Sequence, residues 1–148
     1  MRRVGTGEKY SGEVPLTYFR NSAFKEKKYL KGVMVAVMEG LEKLQVFKDE
    51  PLHICTGYIF SEVRTALMNE GYSVIPSRIT GITQEYAEDE FIKSLVKLGI
   101  GFESEIRKMR SFNGFLRWVH QDINSREKYV KTGWKAWFRL KKEGSTNE

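Results

Sequence analysis

The stretch LHICTGYIFSEVRTALMNEGYSVIPSRITG, residues 52–81, constrains the fold more than any other part of the chain. Leu52 to Cys55 is a short apolar run behind Pro51, and Thr56-Gly57 breaks it. Ile59, Phe60, Val63, Ala66 and Leu67 then recur at helical spacing. Glu70-Gly71 ends that helix, because glycine takes the left-handed position beyond a helix without a Cβ penalty. Tyr72, Val74 and Ile75 restart a strand that Gly81 closes. Two strands joined by one helix are most simply parallel, with a right-handed crossover. The expected fold class is therefore α/β, with a small, mainly parallel sheet and flanking helices. Cys55-Thr56-Gly57-Tyr58 falls at the carboxyl end of a strand, where open α/β sheets bind ligands. Thr56, Gly57 and Tyr58 offer backbone amides at a helix start and form an anion-binding candidate. A plain strand-to-helix turn uses the same residues, and the glycine-rich length and lysine of a nucleotide loop are missing.

The flanking segments extend this unit in both directions. Val14 to Phe19 reads as an edge strand, with Pro15 restricting it to an edge or a strand start. A helix capped by Asn21 or Ser22 follows, with Tyr29, Leu30, Val33, Met34, Val37, Met38, Leu41 and Leu44 as its apolar stripe. Lys25, Lys27, Lys28 and Lys31 crowd the first half of that helix, where the dipole favours anions. Either an external anion visits this end or the lysines are simply solvated. Beyond Gly81, a helix over 84–98 carries Tyr86, Ala87, Phe91, Ile92, Leu95 and Leu98 on one face, with Thr83 as a cap. Residues 102–110 read as a linker or short helix, and 112–120 and 126–142 as helices. The division expected is an α/β core over 1–101, a basic aromatic helical extension over 102–142 packed on it, and a disordered tail over 143–148.

A chain of 148 residues buries roughly two thirds of its unfolded surface, so it needs neither disulfide nor metal. The longest apolar run, Gly32 to Met38, is too short to span a bilayer. With no secretory leader pattern and a single cysteine, the cytosol is the expected compartment. Cys55 and His53 are two residues apart on a strand, so both side chains point to one face. That allows a Cys–His nucleophile pair, although an apolar strand equally explains a buried cysteine. A phosphate-loop cysteine enzyme would place an arginine where Ser61 stands. One cysteine with His53 and His120 gives no zinc spacing, so no metal set is expected.

Charge is distributed unevenly. Residues 1–100 hold 14 Lys/Arg against 13 Asp/Glu, whereas 101–142 hold 11 against 4. All three tryptophans lie in the same C-terminal region. Phe112, Phe115, Trp118, Tyr129, Trp134, Trp137 and Phe138 are interleaved there with the basic residues. Bases stack on aromatic faces while Lys and Arg track phosphates, so the pattern suits RNA or single-stranded nucleic acid. Arg117, Lys131, Trp134, Lys135, Trp137, Arg139, Lys141 and Lys142 are the candidate binding residues. The same composition suits an amphipathic helix on an anionic membrane, or aromatics folded back on the sheet with only a basic rim exposed.

The order of elements over 24–98 resembles the second half of the ribonuclease H-like superfamily: an acidic helix, a strand, a helix, a strand and a late acidic helix. Glu39 lies in the helix before the first strand, ICTGYIFSEV resembles the strand-to-helix junction, and Glu85, Glu88 or Asp89 falls on the late helix. A hydrolytic member would be a two-metal nuclease using Glu39, Glu85 and Asp89 with Mg²⁺ or Mn²⁺; otherwise no cofactor is expected. Gly57 stands near the place of the family's junction aspartate, and residues 1–24 contain only Glu8 and Glu13 as acids, which implies a non-hydrolytic member. Three functions follow as expectations. Nucleic-acid binding leads, a metal-dependent nuclease or phosphoryl-transfer enzyme comes second, and a protein-docking or homodimerising aromatic tail comes third.

Overall fold

The β–α–β unit forms as its sequence dictates. In the computed structural model, which describes residues 1–145, β1 spans Leu52–Cys55 and β2 spans Val74–Ser77, and they pair in parallel with Leu52 opposite Val74. They are the only strands among the described residues. Between them runs α3, Ser61–Asn69, entered through a 3-10 turn over Tyr58–Phe60. Gly71 takes φ +87°, the left-handed value that lets the chain leave α3 and return to the sheet. Leu52, Ile54 and Val74 face a core of Leu41, Val63 and Leu67. The other face of the sheet, with His53 and Ile75, is exposed.

The long helix expected before the sheet divides in two. α1 spans Asn21–Lys25 and α2 spans Lys28–Lys43, separated by Lys27 at φ +55°. Aromatic packing holds this corner: Phe19 and Phe24 each stack on Tyr29 with centroids 5.3 Å away. Neither Asn21 nor Ser22 caps α1; Arg20 takes the cap position without a side-chain bond. Val14–Phe19 is not a strand either. Leu16–Phe19 is a 3-10 turn in which the Tyr18 amide bonds the Pro15 carbonyl at 3.0 Å.

The reason lies on α2. Gly32, Ala36 and Gly40 recur every four residues and form a shallow groove on one side of the helix. Residues 10–18 lie in it. A Cβ on Gly32 would sit 2.7 Å from Val14 Cγ1, one on Gly40 2.7 Å from Tyr10 Cδ1, and one on Gly12 2.9 Å from Ala36 Cβ. Polar bonds fix the segment in place. The Tyr10 hydroxyl donates to Glu39 on α2 at 2.8 Å, and Ser11 Oγ donates to Glu90 at 3.0 Å. Arg3 donates to both carboxylate oxygens of Glu50, just before β1. The N-terminal segment thus ties α2, the lead-in to β1 and the following helix together.

That helix, α4, spans Ile82–Lys97 and starts at Gly81 without a side-chain cap, so Thr83 lies inside its first turn. After it come α5 (Glu103–Lys108), α6 (Phe112–His120), α7 (Ile123–Arg126) and α8 (Lys135–Ser145). Ile92, Ile106, Val119 and Trp137 are the buried apolar residues of this half. Phe91 meets Phe115 edge-on at 6.1 Å, and Arg107 and Arg110 pair with Asp89 and Glu88. The helix expected over 126–142 is interrupted by a 3-10 turn at Glu127–Tyr129 and a non-helical stretch up to Trp134. In that stretch the Gly133 amide bonds the Phe19 carbonyl at 3.0 Å. A Cβ on Gly133 would collide with Phe24, so this approach of the extension to the core requires glycine. Of the tail expected to be disordered, residues 143–145 continue α8, and 146–148 lie outside the described residues.

Replacing a helical glycine by alanine normally stabilises a helix by about 1 kcal/mol. Gly32→Ala is expected to do the opposite and lower stability by about 1–3 kcal/mol, because the new methyl displaces Val14 and Tyr18. Urea unfolding measures this, and adding Val14→Ala to the same chain should return part of the loss.

Candidate nucleic-acid interface

Glu127 contacts the inner side of α8. Its carboxylate accepts the Trp137 indole N–H at 2.8 Å and the Lys141 ammonium at 2.7 Å. The Lys141 ammonium holds the Glu127 carboxyl below the usual range, with the indole bond acting in the same sense and burial opposing both. Trp137 is packed inward with only 3% of it exposed, and this bond satisfies its buried indole N–H. A base has no face of Trp137 to stack on, so this residue leaves the binding set and joins the core. Lys141 is occupied by the same carboxylate.

The opposite side of α8 carries Lys135, Phe138, Arg139 and Lys142. They follow the i, i+3, i+4, i+7 spacing of a single helical face, and all four are exposed. Phe138 is 70% exposed, which is far from its apolar preference. Arg139 meets Glu143 only at 3.7 Å, an exposed pair that constrains it little. At the start of the helix, half-buried Trp134 stands edge-on to Phe112 at 6.0 Å, and Phe112 is itself exposed. The structure thus gathers one basic face with aromatic groups on it.

Phe138 and Phe112 stand with this face, although the sequence pattern does not place them among the candidate binding residues. The spacing of 135, 138, 139 and 142 was readable, but a helix begun at 126 hides where the exposed face starts. Lys131 does not join the face. Its ammonium lies 4.2 Å from the centroid of Phe19, and burial lowers its pKa, so it belongs to the contact between extension and core. Arg117 is exposed on α6. Trp118 is covered by the Arg126 guanidinium, 4.4 Å from its ring, which also bonds the Trp118 carbonyl.

The carboxylates proposed for metal chemistry are not gathered. Glu39 accepts the Tyr10 hydroxyl on α2, while Asp89 pairs with Arg107 on α5 at 2.8 Å. The bond from Arg107 lowers the Asp89 pKa. Glu85 is exposed in the first turn of α4. Among the described residues no three His, Cys, Asp or Glu side chains stand close enough to share a metal ion.

The junction after β1 is likewise engaged internally. Arg64 Nη1 donates to the carbonyls of Cys55 and Gly57. The Gly57 amide points to Cys55 Sγ at 3.4 Å, and the Thr56 amide bonds the Ser77 carbonyl at 3.2 Å. Two of the three residues proposed to receive an anion therefore spend their amides inside the turn. Exposed Tyr58 instead lies beneath Lys27, whose ammonium is 5.7 Å from the ring centroid. His53 Nδ1 pairs with Ser77 Oγ at 2.9 Å, not with Cys55.

Glu127→Ala should remove the acceptor of a buried indole N–H and cost about 1–3 kcal/mol. Glu127→Gln keeps an acceptor and loses the charge, so its cost should be smaller. The folded carboxyl has a depressed pKa, so its contribution is present above the unfolded value, about 4.3, and is lost as pH falls through the folded one. Unfolding curves of the native chain and Glu127→Gln should therefore converge in acid.

Among the described residues no helix is long and apolar enough to cross a membrane. No family model matches the chain, and searches of curated proteins and of solved structures find no match.

Proposed function

We infer that this protein binds RNA or single-stranded nucleic acid through the exposed face of α8. The observation that carries the reading is the Lys135–Phe138–Arg139–Lys142 face, held outward by the Glu127–Trp137–Lys141 contacts on the other side. Seven residues of helix span about 10 Å, along which the three cations meet neighbouring phosphates of one strand. Phe138 lies between them and offers a ring on which a base stacks. Trp134 and Phe112 extend that aromatic surface at the helix start. An ungathered carboxylate set gives the nuclease alternative less to rest on.

Binding of this kind depends on salt, because each neutralised phosphate releases counterions. Three contacts give an expected slope of log affinity against log salt of about −2 for a single strand. Anisotropy of a fluorescent oligonucleotide measures it. Lys135→Ala with Arg139→Ala should flatten the slope to roughly −1. Phe138→Ala should weaken binding by about 1–3 kcal/mol at every salt concentration. Affinity indifferent to salt, or a Phe138→Ala chain that binds normally, rejects the reading.

A further inference from the structure

The two edges of the sheet differ in their hydrogen-bonding groups. In a strand, alternate residues bond to opposite sides. Leu52 and Thr56 donate inward to Ser73 and Ser77. The outward residues are therefore Pro51, His53 and Cys55 along β1, and Val74 and Pro76 along β2. The β2 edge has no donor to offer. The Val74 amide bonds the Tyr72 carbonyl at 3.0 Å, and Pro76 has no N–H. Along β1 the same alternation leaves the His53 N–H and C=O, the Cys55 N–H and the Pro51 C=O on the outer edge, where no strand pairs with them among the described residues.

We propose that β1 pairs antiparallel with β1 of a second copy, about a two-fold axis at His53, giving a four-stranded sheet ordered β2-β1-β1-β2. The edge is complementary to itself. The two His53 residues exchange both backbone bonds, and each Cys55 N–H donates to the other copy's Pro51 C=O. The reciprocal bond, from residue 51 to the Cys55 carbonyl, cannot form because Pro51 lacks a donor. Arg64 already satisfies that carbonyl, so no group on the paired edge is left wanting.

The flanks fit the same arrangement. Phe47 precedes β1 with 70% exposure, and Tyr58 follows it with 58%. A two-fold at His53 turns each copy's Phe47 end toward the other's Tyr58 end, and this supplies apolar contact on both sides of the strands. The pairing also enlarges a parallel pair that is too small to stand alone. A strand edge of four residues is a small contact beside the roughly 800 Å² per partner of a standard interface, so the dimer is expected to depend on concentration.

The test uses the full chain. Sedimentation should show the mass rising with concentration from 17.2 kDa toward twice that value. Amide exchange should show His53 and Cys55 becoming more protected over the same range while Val74 does not change. In a Cys55→Ser background, His53→Cys should oxidise with diamide to a linked dimer, because the opposed Cα atoms lie about 5.5 Å apart. Glu62→Cys, on exposed α3, should stay monomeric under the same conditions. His53→Pro should abolish self-association, and the exchange experiment decides independently should that chain fail to fold. A mass fixed at the monomer value overturns the proposal. So does self-association that leaves the His53 amide unprotected or cross-links both cysteine chains equally, which would place the contact on another face.

Discussion

The close approach of residues 10–18 to α2 is the contact on which the rest of the structure depends. It requires α2 to be small on one side and large on the other. Gly32, Ala36 and Gly40 provide the small side, and Met34, Val37, Met38 and Leu41 face the sheet and α3. With side chains at 32 and 40 the segment would stand off, and Tyr10 and Ser11 would lose Glu39 and Glu90. Those two bonds connect α2 to α4, and α4 in turn carries the extension through Asp89, Glu88 and Phe91. A groove one methyl deep thus links the β–α–β unit to the C-terminal helices.

The same arrangement explains how so small a sheet is maintained. Parallel strands normally have both faces covered. Here α2 and α3 cover one face, and the other is left to His53 and Ile75. The ladder is closed at its far end by the Thr56–Ser77 bond and by Arg64, which gathers the Cys55 and Gly57 carbonyls into the turn before α3. That closure makes the junction a structural turn. The position most suggestive of a ligand crevice spends its polar groups on its own backbone.

Much of this was legible in the residues. β1, α3, β2, α4 and α6 follow from periodicity and glycine punctuation, because each buries a single face whose spacing is visible in the chain. The failures come from tertiary contacts that the periodicity of a segment does not encode. The Val14–Phe19 segment has strand composition, but its partner is a helix groove, and no local pattern reports a partner distant in sequence. The break at Lys27 is set by Phe19, Phe24 and Tyr29 stacking, against a helical pattern that runs through it. The 126–142 helix is broken where Gly133 must approach Phe19, again a contact across more than a hundred residues. The resemblance to the ribonuclease H-like fold rested on the order of elements, and an order of elements does not specify where carboxylates point. Tyr10 and Arg107 engage Glu39 and Asp89 separately.

The aromatic-basic extension shows why composition alone could not rank its residues. Trp137 and Phe138 are neighbours in sequence and opposite in role, because one helical step of about 100° separates core from solvent on a helix of 3.6 residues per turn. The burial of Trp137 and the contacts of one carboxylate go with these roles. Glu127 accepts an indole N–H and an ammonium four residues apart on α8, and in that orientation 135, 138, 139 and 142 lie outside. A helix free to turn would show solvent an average of aromatic and basic groups. A helix held in one orientation shows one basic face with an exposed phenyl ring on it, and the order of charge and ring along that face is fixed.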